Sequence, residues 1–351
     1  MHSSRLPKII RLNNNQPLLQ RTDNPWENKV VLNPACIRVQ ERKICESVIR
    51  ELDVGQTILD KLLSQDSLVF LLYRAQGEET PEYDYRKSSL GLSIFSPTLE
   101  LLYRYPNPVI VPDTEYDALG VEDARISKFG DTFYLFYTAF APDEDWGKVR
   151  IAIATSKDLI HWKKHSLLKG SFNTIDNKNA MLFEDRINGL YHMLHRPMDN
   201  RKEMHIHLAT SNDILGEWVD KGPVMKSIPN TEFKQTWIGG GAPPLLLPDG
   251  KYLIIYHTGN YKFDMTREYT LGIAIADPAE ENFIIKRDEL LLKPETSAEK
   301  NGDTELGVNN VVFICGAYFY NNDLYLPYAG ADSVILGAMI PAGELNRYLT
   351  S

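Results

Sequence analysis

Five stretches of the chain share one pattern, in which a turn precedes a short strand of alternating apolar residues. Each strand carries an aromatic or imidazole side chain near its end, and these anchor residues are Tyr73, Tyr137, His195, Tyr256 and Tyr328. The anchors are roughly 60–70 residues apart, a spacing that suits a repeated unit of several strands. The pattern predicts an all-β fold, a five-bladed β-propeller, formed as a single domain over residues 1–351.

One segment departs from the β pattern. Between residues 41 and 65, apolar residues recur at helical spacing, interrupted by Gly55: Val48, Ile49, Leu52, Ile58, Leu59, Leu62 and Leu63. We therefore predict a helical insertion near the N-terminus, at about residues 41–65. Its apolar stripe serves either ordinary packing, the commoner case, or a partner protein.

Composition and charge narrow the class of protein. The 351 residues are 43 % hydrophobic, which is enough to form a sizeable core, and 38 Lys and Arg against 47 Asp and Glu give a net charge of −9. That charge repels nucleic-acid backbones, so we expect no nucleic-acid partner. The three cysteines lack ligand-like or disulfide spacing, and no apolar stretch reaches the length of a membrane span. We expect a cytoplasmic enzyme or binding protein with no membrane partner; a homo-oligomer is possible.

Basic residues recur at one position of the repeat. The residues that follow the five anchors are Arg74, Thr138, Arg196, His257 and Ala329. Equivalent positions of a propeller face one another across the central channel, so three basic side chains would converge there. Either an anion binds between them, or each arginine pairs with a local carboxylate.

Two acidic positions are candidates for chemistry. Asp123 lies in the charged segment Glu122-Asp123-Ala124-Arg125, which is either a structural turn or an acid at the channel mouth that Arg125 orients. Asp332 either binds sugar hydroxyls or caps a turn.

Two further segments carry weaker signals. Trp237 precedes three glycines, but no helix with the phosphate-loop lysine follows, so a nucleotide loop is a poor interpretation. The glycines would let the backbone approach a ligand, with Trp237 available for stacking on a sugar. His205 and His207 are two imidazoles on one strand without a third ligand nearby in the sequence, so we predict no metal site.

Taken together, several segments resemble glycoside hydrolase family 130, the β-mannoside phosphorylases and their hydrolytic relatives. The similarity extends over nearly the whole chain. The matching segments are residues 33–34 (Asn-Pro), 72–74 (Leu-Tyr-Arg), 120–125 (Gly-Val-Glu-Asp-Ala-Arg), 178–183 (Lys-Asn-Ala-Met-Leu-Phe), 195–197 (His-Arg-Pro), 239–244 (Gly-Gly-Gly-Ala-Pro-Pro), 255–257 (Ile-Tyr-His), 310–313 (Asn-Val-Val-Phe) and 328–332 (Tyr-Ala-Gly-Ala-Asp). The family is a five-bladed propeller, in agreement with the repeat count.

The resemblance implies roles for individual residues. Asp123 matches the family's proton donor. The residues that match its phosphate-binding set are Arg74, Arg196, His257 and Tyr269. The expected substrate-binding set is Asn33, Arg125, Lys178, Trp237 and Asp332, of which Asn33 and Asp332 match positions that hold the mannosyl unit. Leu246 stands where many members carry a lysine, and this departure leaves the linkage specificity open.

The predicted activity is inverting phosphorolysis of a β-mannoside oligosaccharide, which releases α-mannose 1-phosphate. A phosphorylase needs one acid and a basic site for phosphate, whereas an inverting hydrolase needs a second carboxylate to activate water. We expect inorganic phosphate as co-substrate, with no cofactor and no metal. The alternatives are a β-mannosidase with Glu184 or Glu268 as base, and a carbohydrate-binding propeller without catalytic activity.

Overall fold

The computed structural model describes residues 6–52, 54–78, 87–143, 147–198, 204–229, 231–303 and 305–351. The protein is all-β in character, as predicted, with a few short helices. The first strand is β1 (Ile10–Arg11). No helix among the described residues combines the length and apolar character that crossing a membrane requires.

The largest sheet contains eight strands and consists of two halves. Its strands are β2 (Val30–Val39), β3 (Leu68–Gln76), β4 (Ser88–Phe95), β5 (Leu101–Arg104), β6 (Gly120–Phe129), β7 (Thr132–Ala141), β8 (Lys148–Ser156) and β9 (Lys163–Leu167). Within each half, consecutive strands pair antiparallel. The halves meet in parallel at a single residue pair, Ser88 and Gly120. The sheet is therefore two four-stranded units, β2–β5 and β6–β9.

The remaining strands form three further sheets. One contains β10 (Asn177–Leu182), β11 (Tyr191–Pro197), β12 (Ile206–Ser211) and β13 (Val219–Met225). The next contains β14 (Gln235–Gly240), β15 (Leu245–Leu246), β16 (Tyr252–Tyr261), β17 (Arg267–Ala276) and β18 (Ile284–Leu292). The last contains β19 (Val312–Phe313), β20 (Tyr318–Tyr320), β21 (Asp323–Gly330) and β22 (Val334–Ile340), and β1 adds to β22. The last sheet thus joins strands from both ends of the described chain.

Among the described residues, α-helices occur in three places. The predicted insertion is confirmed as α1 (Arg42–Glu51) and α2 (Gln56–Leu63), between β2 and β3. Its apolar stripe is buried in the protein's own core, where Val48 and Leu62 are at most 1 % exposed, so packing is the correct interpretation. The other helices are α3 (Ser297–Lys300) and α4 (Ala342–Leu349).

Apolar layers join neighbouring units. Trp218, which comes just before β13, is fully buried and meets Phe136 of β7 edge-on, with ring centroids 6.4 Å apart. The indole also donates a hydrogen bond to the carbonyl of Ile214 at 3.1 Å, which satisfies its one polar atom. Contacts of this kind hold the units side by side, so that the first strands of several units approach one another.

Candidate active site

Three strands that begin their units carry the same backbone irregularity. The ladders of β2, β6 and β10 each shift register, at Asn33, Asp123 and Asn179 respectively. These residues have φ values of 48°, 48° and 60°, a left-handed conformation that asparagine and aspartate tolerate better than other side chains do. The three side chains line one cavity of about 160 Å³. The bulges therefore aim polar groups into a common space.

The cavity brings together most of the residues that the sequence analysis selected. Eight of the ten line it: Asn33, Arg74, Asp123, Lys178, Arg196, His257, Tyr269 and Asp332. They come from seven strands and one turn, and they are separated by up to 299 residues, from position 33 to position 332. Their convergence on one cavity is a property of the fold, whereas their individual roles remain predictions.

Asp123 lies among positive charges. The side-chain amide of Asn33 donates a hydrogen bond to its carboxylate at 2.6 Å, and a guanidinium nitrogen of Arg74 lies at 3.4 Å. Burial by itself raises the pKa of Asp123, but the charges of Arg74 and Lys178 outweigh it and hold that pKa below its ordinary value. Asp123 is therefore a carboxylate in the ligand-free protein at neutral pH.

Asp332 shows the opposite shift. Burial raises its pKa to about 6, and the neighbouring charge of Asp123 adds to the effect while Arg74 opposes it. Asp332 also has a left-handed backbone, with φ 48°. The cavity thus contains two carboxyl groups with opposite shifts: the pKa of Asp123 is lowered and that of Asp332 is raised.

Arg74 and Arg196 differ in the way their charge is balanced. Arg74 forms an ion pair with Glu122 at 2.7 Å and donates to the hydroxyl of Ser88 at 2.9 Å. Arg196 is 5 % exposed, and no carboxylate of the described residues lies within 4 Å of it. Its Nε atom has no hydrogen-bond partner, and burial lowers its pKa to about 10. Arg74 therefore pairs with a local carboxylate, whereas Arg196 is a buried cation to which the described residues supply no counter-ion.

His257 lies against Arg196 and is neutral. An Arg196 amino group lies 3.3 Å from His257 Nε2, so this ring nitrogen accepts the hydrogen bond. Burial, reinforced by the charge of Arg196, holds the pKa of His257 well below its ordinary value. Burial also lowers the pKa of Lys178 and raises that of Tyr269 to about 12, so the phenol keeps its proton at neutral pH. The cavity is rich in donors and poor in internal acceptors.

Arg125, which was predicted to bind substrate, lies behind the cavity wall. It is 1 % exposed, and its guanidinium donates to the carbonyls of Gly241, Asp123 and Gly240 at 3.0, 2.7 and 2.8 Å. Arg125 therefore uses three of its five N–H donors to hold the bulge of Asp123 against Gly240 and Gly241, and its burial keeps it out of the cavity lining.

Trp237 also lies outside the cavity lining. It is 4 % exposed and packs on Tyr261 and Tyr269, with ring centroids 5.1 and 5.5 Å away. Its indole supports the Tyr269 ring, and no open face remains for stacking on a sugar. The position differs from the prediction because the indole is packed against neighbouring rings of its own sheet.

The glycines after Trp237 make room for neighbouring side chains. A Cβ atom on Gly239 would lie 2.4 Å from the Asn179 amide nitrogen and 2.5 Å from the His257 ring. On Gly240 it would lie 2.4 Å from Met181. Gly239 thus makes room for Asn179 and His257, which line the cavity, and Gly240 makes room for Met181 in the neighbouring apolar core.

Sequence reasoning missed two polar residues of the cavity, Asn179 and Arg267. Asn179 lies near the start of a strand and directly precedes an alanine, as Asp123 does, and that repetition was a usable signal. Arg267 lies two residues before Tyr269 in β17, so the alternation of a strand places both on one face.

The two glutamates considered as hydrolytic bases lie elsewhere. Glu184 is outside the cavity lining, and burial raises its pKa to about 7. Glu268 lies between Arg267 and Tyr269, so it faces the other side of β17, and it is 3.7 Å from Lys262. Neither is positioned to activate water at Asp123.

An open groove of about 600 Å³ adjoins the cavity. Arg267 lines both, and the groove continues along Met265, Asp303, Asn309 and Asn310. Its lining mixes amide, carboxylate and apolar groups, which is the composition that sugar hydroxyls and ring faces require. Within the described residues, one group of three could hold a metal ion, and it lies outside both spaces: His195, His207 and Asp220.

A sequence model of glycoside hydrolase family 130, described as beta-1,4-mannooligosaccharide phosphorylase, matches residues 18–350. The chain belongs to this family. It is 34 % identical over 342 residues to the 1,2-beta-oligomannan phosphorylase of Thermoanaerobacter sp. (strain X514), with 97 % of this chain and 99 % of that protein covered.

Solved structures show the same fold. The β-1,2-mannobiose phosphorylase of Listeria innocua, in complex with β-1,2-mannobiose, is 21 % identical with a TM-score of 0.73, and the match covers 98 % of this chain and all of that one. A second structure comes from work on GH130 glycoside hydrolases that target β-1,2-mannosidic linkages in Candida mannan. It is 22 % identical with a TM-score of 0.75, and the match covers 97 % of this chain and 95 % of that one.

Proposed function

We propose that this protein catalyses inverting phosphorolysis of β-mannosides and releases α-mannose 1-phosphate. The observation that carries the proposal is Arg196, a buried guanidinium in the cavity that contains Asp123, with no carboxylate partner among the residues that the structure describes. A buried unpaired charge is costly, and a dianionic phosphate between Arg196, His257 and Lys178 would compensate it. The names of the sequence relatives and the family description support the same reaction.

The proposed step displaces the leaving sugar directly. A phosphate oxygen attacks the anomeric carbon of the mannosyl unit while the bond from that carbon to the glycosidic oxygen breaks. The proton of Asp123 goes to the leaving oxygen, either directly or through a substrate hydroxyl, and the proton released from phosphate restores the acid. Asn33 and Asp332 would hold the mannosyl hydroxyls, and the cavity volume of about 160 Å³ suits one sugar ring.

Phosphate binding would also prepare the acid. In the ligand-free protein, nearby cations hold the pKa of Asp123 down, so the residue lacks the proton that it must donate. A bound phosphate dianion opposes those cations and raises the pKa of Asp123. Protonation of the acid is thereby linked to the presence of the nucleophile, which disfavours cleavage when phosphate is absent.

We propose a β-1,2 linkage and an oligosaccharide substrate. The relatives in Thermoanaerobacter and Listeria carry β-1,2 names, although the family description says β-1,4. The groove beyond Arg267 would take the sugar units on the leaving side. Hydrolysis is the second candidate, because the family includes hydrolases and Asp332 is a second carboxyl group in the cavity.

The test is incubation with β-1,2- and β-1,4-mannobiose and with longer chains of each linkage, with and without phosphate. The proposal expects α-mannose 1-phosphate from the β-1,2 substrates, with cleavage strictly dependent on phosphate. Free mannose formed at the same rate without phosphate would instead establish the hydrolase. Binding without any cleavage would establish a carbohydrate-binding module.

We further propose that residues 1–351 form one catalytic domain, a five-bladed propeller with the cavity on its axis. Five units support this count: the two halves of the eight-stranded sheet and the three smaller sheets. A cytoplasmic location remains a proposal, supported by three buried cysteines that are all free thiols. A homo-oligomer also remains a prediction.

A further inference from the structure

A second group of polar side chains lies on the far side of β11 from the active site. His195 and Arg196 are consecutive in that strand, so their side chains point to opposite faces. Arg196 faces the cavity, whereas His195 faces His207, its direct partner in β12, and Asp220 in β13. Three neighbouring strands thus each contribute one possible metal ligand.

The distances suit a small divalent cation. One oxygen of Asp220, Oδ1, lies 3.5 Å from His195 Nε2 and 3.3 Å from His207 Nδ1. One ligand atom from each residue lies within 4.8 Å of the other two. Zinc bonds of roughly 2.0–2.2 Å in a tetrahedron place ligand atoms about 3.4 Å apart, close to the two shorter separations.

The imidazole of His195 is poised as a ligand. It is fully buried, and its Nε2 atom has no hydrogen-bond partner. On the other side of the ring, the amide atoms of Asn177 lie 3.1 and 3.3 Å from Nδ1. When the amide oxygen accepts from Nδ1–H, Nε2 presents its lone pair to the Asp220 carboxylate, an arrangement that a cation between them stabilises.

The unit formed by β10–β13 differs from the other four at its anchor residue, His195. In the other four units the anchor is a tyrosine whose hydroxyl donates to an acceptor, such as Glu27 at 2.8 Å, Asp117 at 3.1 Å or Glu299 at 2.7 Å. Those bonds hold the strand without any imidazole. His195 instead points its Nε2 atom at the Asp220 carboxylate, 3.5 Å away, and the next strand adds a second imidazole beside it.

We propose that His195, His207 and Asp220 form a binding site for a divalent transition-metal ion of the zinc class. The protein supplies two nitrogens and one oxygen, and water fills the fourth position, because His207 and Asp220 are partly exposed, with 19 % and 28 % of their side chains accessible. The backbone N–H of Gly222 donates to Asp220 at 2.9 Å and orients the carboxylate. The bound ion would tie β11, β12 and β13 together directly behind Arg196.

The test is calorimetric titration of the tag-free, metal-stripped protein with Zn²⁺. We expect one zinc per chain with micromolar or tighter affinity, and binding at least about 100-fold weaker in His207→Ala and Asp220→Asn. His205→Ala is the matched control, because His205 lies two residues away and accepts from the backbone N–H of Ser227 at 3.1 Å. Titration with Co²⁺ should give the intense visible absorption of a tetrahedral nitrogen and oxygen site in the wild type and in His205→Ala.

The titrations can refute the proposed metal site in more than one way. No saturable zinc binding, or equal binding in the wild type, His207→Ala and Asp220→Asn, would overturn the site. Loss of binding in His205→Ala to the same degree would also overturn it. Circular dichroism of each variant checks folding, and if His207→Ala is unfolded, Asp220→Asn alone carries the test, because it conserves shape.

Discussion

Replacement of Arg196 by methionine should stabilise the ligand-free protein. Burial lowers the pKa of Arg196 from 12.5 to about 10, and at 1.36 kcal/mol per pKa unit this is a cost of about 3 kcal/mol. By linkage, a basic group whose pKa is lower in the folded state destabilises the fold wherever it is charged, which for Arg196 includes neutral pH. Methionine keeps an apolar stem of similar length and removes the charge, so the free energy of unfolding should rise by about 1–3 kcal/mol.

Arg74→Met is the matched comparison and should act in the opposite direction. Arg74 is paired with Glu122 at 2.7 Å and lies 3.4 Å from Asp123, so its removal leaves two carboxylates without their cation. Breaking such a buried pair costs about 3–5 kcal/mol, at the low end here because 16 % of the Arg74 side chain is exposed. Both arginines occupy the same position of the repeat, which removes position as an explanation of any difference.

Urea unfolding in phosphate-free buffer measures the free energy of unfolding of both variants. Repeating the measurement in saturating phosphate shows how much phosphate binding stabilises each protein. Phosphate at about 100 times its Kd should stabilise the wild type by roughly 2.7 kcal/mol, and Arg196→Met should lose most of this. The KM for phosphate should rise about 10–100-fold, because one charge-assisted hydrogen bond is worth about 1.5–3 kcal/mol, with little change in the KM for the mannoside. If Arg196→Met destabilises the ligand-free protein as much as Arg74→Met does, Arg196 is a structural residue and the reasoning is wrong.

Three further results are expected. Asp123→Asn should lower kcat at least about 100-fold while leaving a folded protein by circular dichroism; unfolding would favour a structural role. Asp332→Asn should make the protein more stable than the wild type at pH 7, with a difference that shrinks toward pH 4, because a pKa raised to about 6 is a penalty only where the carboxylate is charged; urea unfolding at both pH values tests this. Gly239→Ala should lower kcat/KM by displacing His257, whereas Gly343→Ala, with open space around it, should not; equal effects would refute the packing argument.

The sequence determined the strands and much of the cavity. Alternation of apolar residues is a local property, so the β character and the five anchor strands could be recognised without coordinates. Helical spacing likewise located α1 and α2. Arg74, Arg196 and His257 were selected because the residue after an anchor recurs at one position of the repeat, and repeats of one fold superimpose equivalent positions.

The balance of charge was decided only by tertiary structure. Arg74 and Arg196 each directly follow an anchor residue, but Ser88 and Glu122 come to Arg74 from other strands, and no carboxylate of the described residues comes to Arg196. Pairing of this kind depends on side chains that are distant in sequence, so the regular spacing of the anchor strands contains no information about it. The same reason explains Arg125, whose carbonyl partners in the glycine strand are more than 100 residues away.

Contacts across strands also decided where the imidazoles meet. Along the chain, His207 is nearest to His205, but strand pairing sets it opposite His195, and β13 adds Asp220. Left-handed bulges determined the cavity wall in the same way, because a register shift depends on the partner strand as well as on the residue that bends. Sequence therefore fixes which side chains a strand offers to each face, and only the assembled sheets decide which of them come within reach of one another.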